Sequence, residues 1–258
     1  MIRFCSLGSG STGNATLIEA SGGITQTRVL VDCGFSLREL ERRLARVGLG
    51  SDDLDAVFIT HEHSDHVGCA LALAKRRAIP VWTSAGTWKA MGEPELGPLL
   101  HRARDGVAID LGDLCITPYA VPHDALEPLQ LTCSDGHAKL GILTDAGSST
   151  SHLLTQLQAC SALLLEANHD PEMLQRSRYP AFLKARIAGR HGHLANDAAA
   201  EILRFSAHLA LKHVVAAHLS QQNNTPQHAA LAFADALGCS SEDIVVAKPD
   251  TGFHWLDA

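Results

Sequence analysis

The chain has 258 residues, 46% hydrophobic and 19% charged, with a formal net charge of −7. That balance suits a globular α/β protein and excludes a disordered or fibrous one. No run approaches the roughly 18 apolar residues of a membrane helix, and Met1 to Asn14 lacks the apolar core of a signal peptide, so a cytoplasmic protein with no membrane partner is expected. The negative charge weighs against a polyanion partner, because non-specific nucleic-acid binding rests on Lys and Arg.

In chain order, short apolar runs bounded by turn residues predict strands over 1–7, 14–19, 28–32, 56–60, 80–83, 114–121, 128–133, 139–143, 161–166, 213–217 and 243–247. Helices are predicted over 36–47, where Leu37, Leu40, Leu44 and Val47 recur at spacings of three and four, and over 66–78. Three more follow: 149–159 after a Ser/Thr run suited to capping, 196–210 opening on Asn196-Asp197 as a cap, and 226–237 with Pro226 in its first turn. No repeat or linker interrupts the chain, so one domain over 1–258 is expected. The seven cysteines are scattered without a C-x-x-C pair and read as reduced thiols. Cys33 and Cys69 fall near the motifs below.

Fifteen histidines are many for this length, and the densest group is His61-Glu62-His63-Ser64-Asp65-His66, directly after the strand at 56–60. Imidazole and carboxylate are the ligands that zinc and similar ions prefer. Three histidines and an aspartate at a strand end can aim several donors at one point, whereas a solvated loop has little use for them. The group therefore predicts a metal site.

This H-x-H-x-D-H pattern resembles the signature of the metallo-β-lactamase superfamily. The resemblance implies a four-layer αββα sandwich and two divalent metal ions, zinc or manganese. By that likeness Asp32 orients the histidine motif. His61, His63 and His123 hold one metal, Asp65, His66 and His218 hold the other, and Asp145 lies between them, while Glu62 points away. Two ions about 3.5–4 Å apart would lower the pKa of a bridging water, so the hydroxide serves as nucleophile and no serine or cysteine is needed.

Further segments narrow the branch. Gly8-Ser9-Gly10-Ser11-Thr12-Gly13-Asn14 is a tight hairpin, or a backbone-lined rim with Asn14 available to phosphate oxygens. Glu166 after its strand and His193 leading into a helix match the pair that phosphodiesterase and nuclease branches use to protonate a leaving alkoxide. With Asp65 they form the candidate catalytic set, and His169 and His191 are weaker supporting candidates. Together GSGSTGN, THEHSDHVG, EANHD, GHLAN and HLSQQNNTP resemble the YycJ/WalJ group, across essentially the whole chain. That likeness implies a 5′-exonuclease on DNA with a link to mismatch repair. Larger nuclease relatives carry a β-CASP domain between the bridging Asp and the last His. Here those residues, Asp145 and His218, are 73 positions apart (218 minus 145), too few for that insertion. Ala195 also stands where relatives would carry Ser.

The expected partner is nucleic acid, DNA ahead of RNA, gripped by phosphate-directed contacts; aromatics at 5% argue against an extended base-stacking platform. Basic groups cluster at Arg38/Arg42/Arg43/Arg46, Lys75/Arg76/Arg77, Arg102/Arg104 and Lys184/Arg186/Arg190. The last leads into His191 and His193 and makes Arg190 a substrate-contact candidate. Asn223, in the polar loop after His218, is another. The alternatives are a small cyclic phosphodiesterase, favoured by the acidic charge; a thioester, lactone or β-lactam hydrolase, disfavoured by Glu166 and His193; and a metal-bound regulator without activity.

Overall fold

The computed structural model describes all of residues 1–258. Strands β1 (Ile2–Gly8), β2 (Ala15–Ser21) and β3 (Gln26–Val31) lead to α1 (Leu37–Arg46), β4 (Ala56–Phe58), α2 (Ser64–Val67), α3 (Ala70–Arg77), β5 (Val81–Thr83), α4 (Ala85–Ala90) and β6 (Leu100–Arg102). Next come β7 (Ile109–Leu111), β8 (Leu114–Ala120), β9 (Leu129–Ser134), β10 (Lys139–Leu143), α5 (Ser151–Leu157) and β11 (Ala162–Glu166). The chain finishes with α6 (Pro171–Arg176), α7 (Ala181–Ile187), α8 (Asn196–Ser206), β12 (His213–Ala217), α9 (Pro226–Leu237), β13 (Val245–Val246) and β14 (Phe253–Asp257). The interval between Asp145 and His218 is thus filled by α5, β11, α6, α7, α8 and β12.

Two seven-stranded sheets form, in the orders β14-β1-β2-β3-β4-β5-β6 and β13-β12-β11-β10-β9-β8-β7. Alternation along each central strand explains why both faces are apolar. On β1, Ile2 and Phe4 point between the sheets while Cys5 and Leu7 face the helices. On β11, Ala162 and Leu164 point inward while Leu163 and Leu165 meet the helices of the second sheet. Three apolar cores separate four layers, helix–sheet–sheet–helix, which is the sandwich the sequence predicted.

The strand directions gather the site. β3 and β4 run parallel, as do β10, β11 and β12. β8 is antiparallel to β9 and β9 to β10, so β8 runs with β10. Asp32, His61, His123, Asp145, Glu166 and His218 stand at or just past the C-terminal ends of these six strands. The Ser9 hydroxyl at the end of β1 accepts from the His218 amide at 2.9 Å, and the β9 amide of Leu129 donates to Thr60 O at 3.0 Å. These contacts tie the two sheets together at the end that carries the site.

The largest departures from the predicted elements fall in two helices. The helix expected over 66–78 is two helices broken at Gly68, whose φ of 36° suits glycine and where a Cβ would lie 2.2 Å from Cys33 O. The motif therefore packs flush against the chain after β3. The helix at 196–210 stops at Ser206, and Asn196 is its first helical residue, not its cap. The cap position is Ala195, with no side-chain hydrogen bond to give. Short β6, β7 and β14, and helices α4, α6 and α7, were not predicted at all.

Candidate metal centre

Neighbours aim His61, His66 and His123. Asp32 Oδ2 accepts from His66 Nδ1 at 2.8 Å, and Asp32 Oδ1 accepts from the Thr60 amide at 2.9 Å. The Thr60 hydroxyl donates to the same carboxylate and lies 3.0 Å from His61 Nδ1. His123 Nδ1 donates to Gly192 O at 2.9 Å. These bonds occupy Nδ1 of His61, His66 and His123 and leave Nε2 to face the centre. The backbone is special as well. Asp32, Asp145 and His218 all have positive φ, 60°, 58° and 54°, a left-handed turn that non-glycine residues rarely adopt. It swings each side chain off its strand and into the centre.

The donor set fits divalent ions. His61 Nε2 and His63 Nδ1 are 3.1 Å apart, and His63 Nδ1 and His123 Nε2 are 3.4 Å apart. Nitrogens held about 2.0–2.1 Å from one tetrahedral zinc are separated by roughly 3.3 Å. The Asp65, His66 and His218 donors form a second group, with His66 Nε2 3.5 Å and His218 Nε2 3.7 Å from Asp65 Oδ2. Asp145 lies between the groups, Oδ2 3.0 Å from His66 Nε2 and Oδ1 3.9 Å from His123 Nε2. Asp145 Oδ2 and His218 Nε2 are buried without a hydrogen-bond partner. The 3.0 Å approach of Asp145 to His66 is close but poorly aligned. Buried polar atoms left this way call for an ion. Neither Cys33 nor Cys69 belongs to these groups; their Sγ atoms face each other at 3.3 Å.

Titration behaviour divides the cluster. Burial pushes His61 and His123 below the usual imidazole range, which leaves them neutral, as ligands must be. Burial also opposes charge on His218, but Asp145, Asp65 and Glu166 outweigh it and raise its pKa to about 10. His66 is raised in the same way against its burial, by Asp145 and Asp32. Asp145 is held well below the carboxylate range despite burial, chiefly by His218 and His66. The carboxylate side of the site thus gathers positive charge from protons, which a divalent ion would displace.

Glu166 is fully buried. Its Oε2 accepts from the amides of Ala146 and Leu194 at 2.9 and 3.2 Å, and its Oε1 accepts from His193 Nδ1 at 2.7 Å and His218 Nδ1 at 3.2 Å. Burial opposes the charge, but His193 and these bonds bring the Glu166 pKa down to about 2. In return the carboxylate outweighs burial and raises His193. The His193 side chain is 24% exposed and lines a cleft of about 240 Å³ with His63, Asp65, Asp145 and His218.

Other candidates lie elsewhere. Asn14 is buried rather than offered to substrate. Its carboxamide is engaged with Gly10, Asp65 and His66, so it braces the loop. Asn223 is fully buried and bonds Ser220 at the rim, because a short turn draws it inward. Arg190 is exposed and does not line the cleft; Arg186 does. His191 is exposed, outside the ligand cluster. His169 is buried with Nδ1 unpartnered, and its backbone pairs with Ala195 and Asn196; no hydrogen bond joins it to the ligands. Glu62 points away, accepting from the Leu126 amide at 2.7 Å.

Sequence reasoning missed Thr60 and Asp124. Asp124 Oδ1 lies 3.4 Å from His123 Nε2 and its Oδ2 pairs with Arg186 at 2.6 Å. Their positions, one residue before His61 and one after His123, were the available signal.

A family model described as the beta-lactamase superfamily domain matches residues 27–219. The chain is 32% identical over 240 residues to exodeoxyribonuclease YycJ of Bacillus anthracis, covering 92% of this chain and 89% of that one. It is 32% identical over 240 residues to exodeoxyribonuclease WalJ of Streptococcus pneumoniae, covering 91% and 88%. The solved metallo-β-lactamase-fold protein YhfI from Bacillus subtilis superposes with a TM-score of 0.75 over all of both chains at 15% identity, a likeness of fold. The protein belongs to the metallo-β-lactamase superfamily and, within it, to the group of YycJ and WalJ. It is a metal-dependent hydrolase. No helix is long and apolar enough to cross a membrane.

Proposed function

We propose that this hydrolase cleaves phosphodiesters of nucleic acid and, more narrowly, removes nucleotides from the 5′ end of DNA. The observation that carries the reading is the pair of Glu166 and His193, 2.7 Å apart, at the wall of the cleft beside the ligand cluster. An acyl hydrolase has less need of such a proton donor, whereas a departing alkoxide requires one. The names of the YycJ and WalJ relatives support the choice of DNA.

His61, His63 and His123 would hold one divalent ion, Asp65, His66 and His218 a second, and Asp145 would reach both, with zinc or manganese as the metals the donors suit. Bound there, the ions supply Lewis-acid activation of water and neutralise phosphate charge. The rest falls to the chain. Glu166 accepts from His193 Nδ1 and favours the protonated ring, and the imidazolium has a second proton, on Nε2, to offer the leaving oxygen. Arg186 presents a planar fork suited to a phosphate, and Ser11 and Ser220 add hydroxyls at the rim.

Purified protein with Mn²⁺ is expected to shorten a 5′-phosphorylated DNA oligonucleotide from that end, and His63→Ala to abolish the shortening. An intact oligonucleotide with every metal tried refutes the reading. Turnover of a small cyclic diester far above that of the oligonucleotide selects the small-molecule alternative, for which the size of the cleft is the favouring observation.

A further inference from the structure

Residues 171–190, comprising α6, α7 and the turn between them, carry five basic side chains (Arg176, Arg178, Lys184, Arg186, Arg190) against one acidic, Glu172. That is a net charge of +4 in a chain whose net charge is −7. Helix α7 buries none of its residues, so packing does not account for it. Yet Tyr179, Leu183, Arg186 and Ile187 line the same cleft as His63, Asp65, Asp145, His193 and His218. Phe182 is 75% exposed and lies one helical turn before Arg186, on the same face. An aromatic and basic wall beside a cluster of metal donors is the surface on which a single strand stacks its bases and seats its phosphates.

We propose that residues 171–190 are a binding arm for the terminal nucleotides of a single strand, with bases against Tyr179 and Phe182 and a phosphate on Arg186. The proposal rests on the nucleic-acid reading above and names the form of the substrate. Arg186 is already steered by Asp124, at 2.6 Å, and Asp124 in turn touches the ligand histidine His123. The guanidinium has five donors, so a phosphate can join Asp124 on it without displacing it. That places the phosphate a short reach from the cluster. A cleft of about 240 Å³ is small beside the roughly 300–1,000 Å³ of a drug-sized pocket. It has room for one unpaired nucleotide, and a base-paired end would have to fray to enter. The arm also reconciles an acidic chain with an anionic substrate: the attraction is local.

The test uses the full chain with EDTA present, so that binding is read without cutting, and a 3′-fluorescein, 5′-phosphorylated oligonucleotide followed by anisotropy. Tyr179→Ala with Phe182→Ala is expected to weaken single-strand binding on the order of tenfold or more. Arg186→Gln is expected to weaken it and reduce the slope of log Kd against log salt by about one. A single strand should bind more tightly than the matching blunt duplex. With Mn²⁺ restored, the aromatic double variant should lower kcat/KM for the oligonucleotide relative to one whose 5′-terminal nucleotides are abasic, which has no base to stack there. Variants that keep their far-ultraviolet spectrum and bind within twofold of the parent overturn the arm, as does a preference for duplex. Weakened binding in a protein that cuts no oligonucleotide keeps the arm and removes the nuclease reading. Cutting with parental affinity in the variants does the reverse.

Discussion

Glu166→Gln is the most informative substitution, because it keeps the shape and removes the charge. The two backbone amides from Ala146 and Leu194 require a carbonyl on their side, so the new amide nitrogen must take the place of Oε1. There it faces Nδ1 of both His193 and His218, at the present separations of 2.7 and 3.2 Å. Neither imidazole can then donate from Nδ1; each must present its lone pair there and keep a single proton on Nε2. On His218 that is the atom proposed to hold the metal. Losing one charge-assisted hydrogen bond costs about 1.5–3 kcal/mol, a factor of roughly 10 to 150. Where neutralising a buried carboxylate traps the wrong imidazole tautomer, the loss approaches about 10⁴-fold. We expect kcat on the oligonucleotide to fall between these limits, with part of the fall traced to lost metal by elemental analysis of the variant. The carboxylate outweighs burial to raise His193. Its removal lowers that pKa, so the alkaline limb of the rate profile moves to lower pH. Combined with His193→Ala, the substitution should cost little more than His193→Ala alone once metal loss is allowed for. Fully additive losses with an unmoved pH profile would refute the coupling.

Ala195→Ser should raise stability by about 0.5–1 kcal/mol, read as a rise in thermal midpoint, because Ala195 already has the extended backbone of a cap (φ −70°, ψ 158°) and lacks only the hydroxyl. Glu19, buried between Arg3 and Arg28 at 2.5 and 2.7 Å, titrates below the usual range because those bonds outweigh its burial. A depressed carboxylate stabilises above its unfolded pKa of about 4.5 and loses that contribution as pH falls. Glu19→Gln should therefore be less stable than the parent by about 1–3 kcal/mol at pH 7. In urea titrations the gap should close between about pH 5 and pH 3, and a gap independent of pH would contradict the assignment.

The sequence made the central strands and the clustered histidine and aspartate positions legible for one physical reason. A strand buried on both faces reads as an unbroken apolar run, and a histidine or aspartate at its end stands out against it. Edge strands β6, β7 and β14 offered no such contrast. Helix α7 escaped because it buries none of its residues, and α6 because its six residues bury Leu174 alone, too little to show an apolar period. Asn14 and Asn223 were expected at the rim because polar loop residues usually are exposed. Their burial follows from turns that bring the Asn223 carboxamide back to Ser220 and the Asn14 carboxamide to Gly10 and across to Asp65 and His66, which composition does not encode. The basic cluster before His191 was legible, but which arginine faces the cleft was not. Helical phase decides it, and that phase puts Arg186 inside with Leu183 and Ile187.

The left-handed backbone at Asp32, Asp145 and His218 has a consequence for engineering. Each of these turns stores conformational energy that glycine would not, yet glycine would also strip buried partners: the Thr60 amide and His66 Nδ1 would lose Asp32, and Glu166 would lose His218. A laboratory selection for heat resistance alone, run with chelator, therefore has no easy gain at these three positions. Screening with divalent ion present would hold them harder still, since a bound ion adds its binding energy to the folded state. Durability and chemistry would then be selected together.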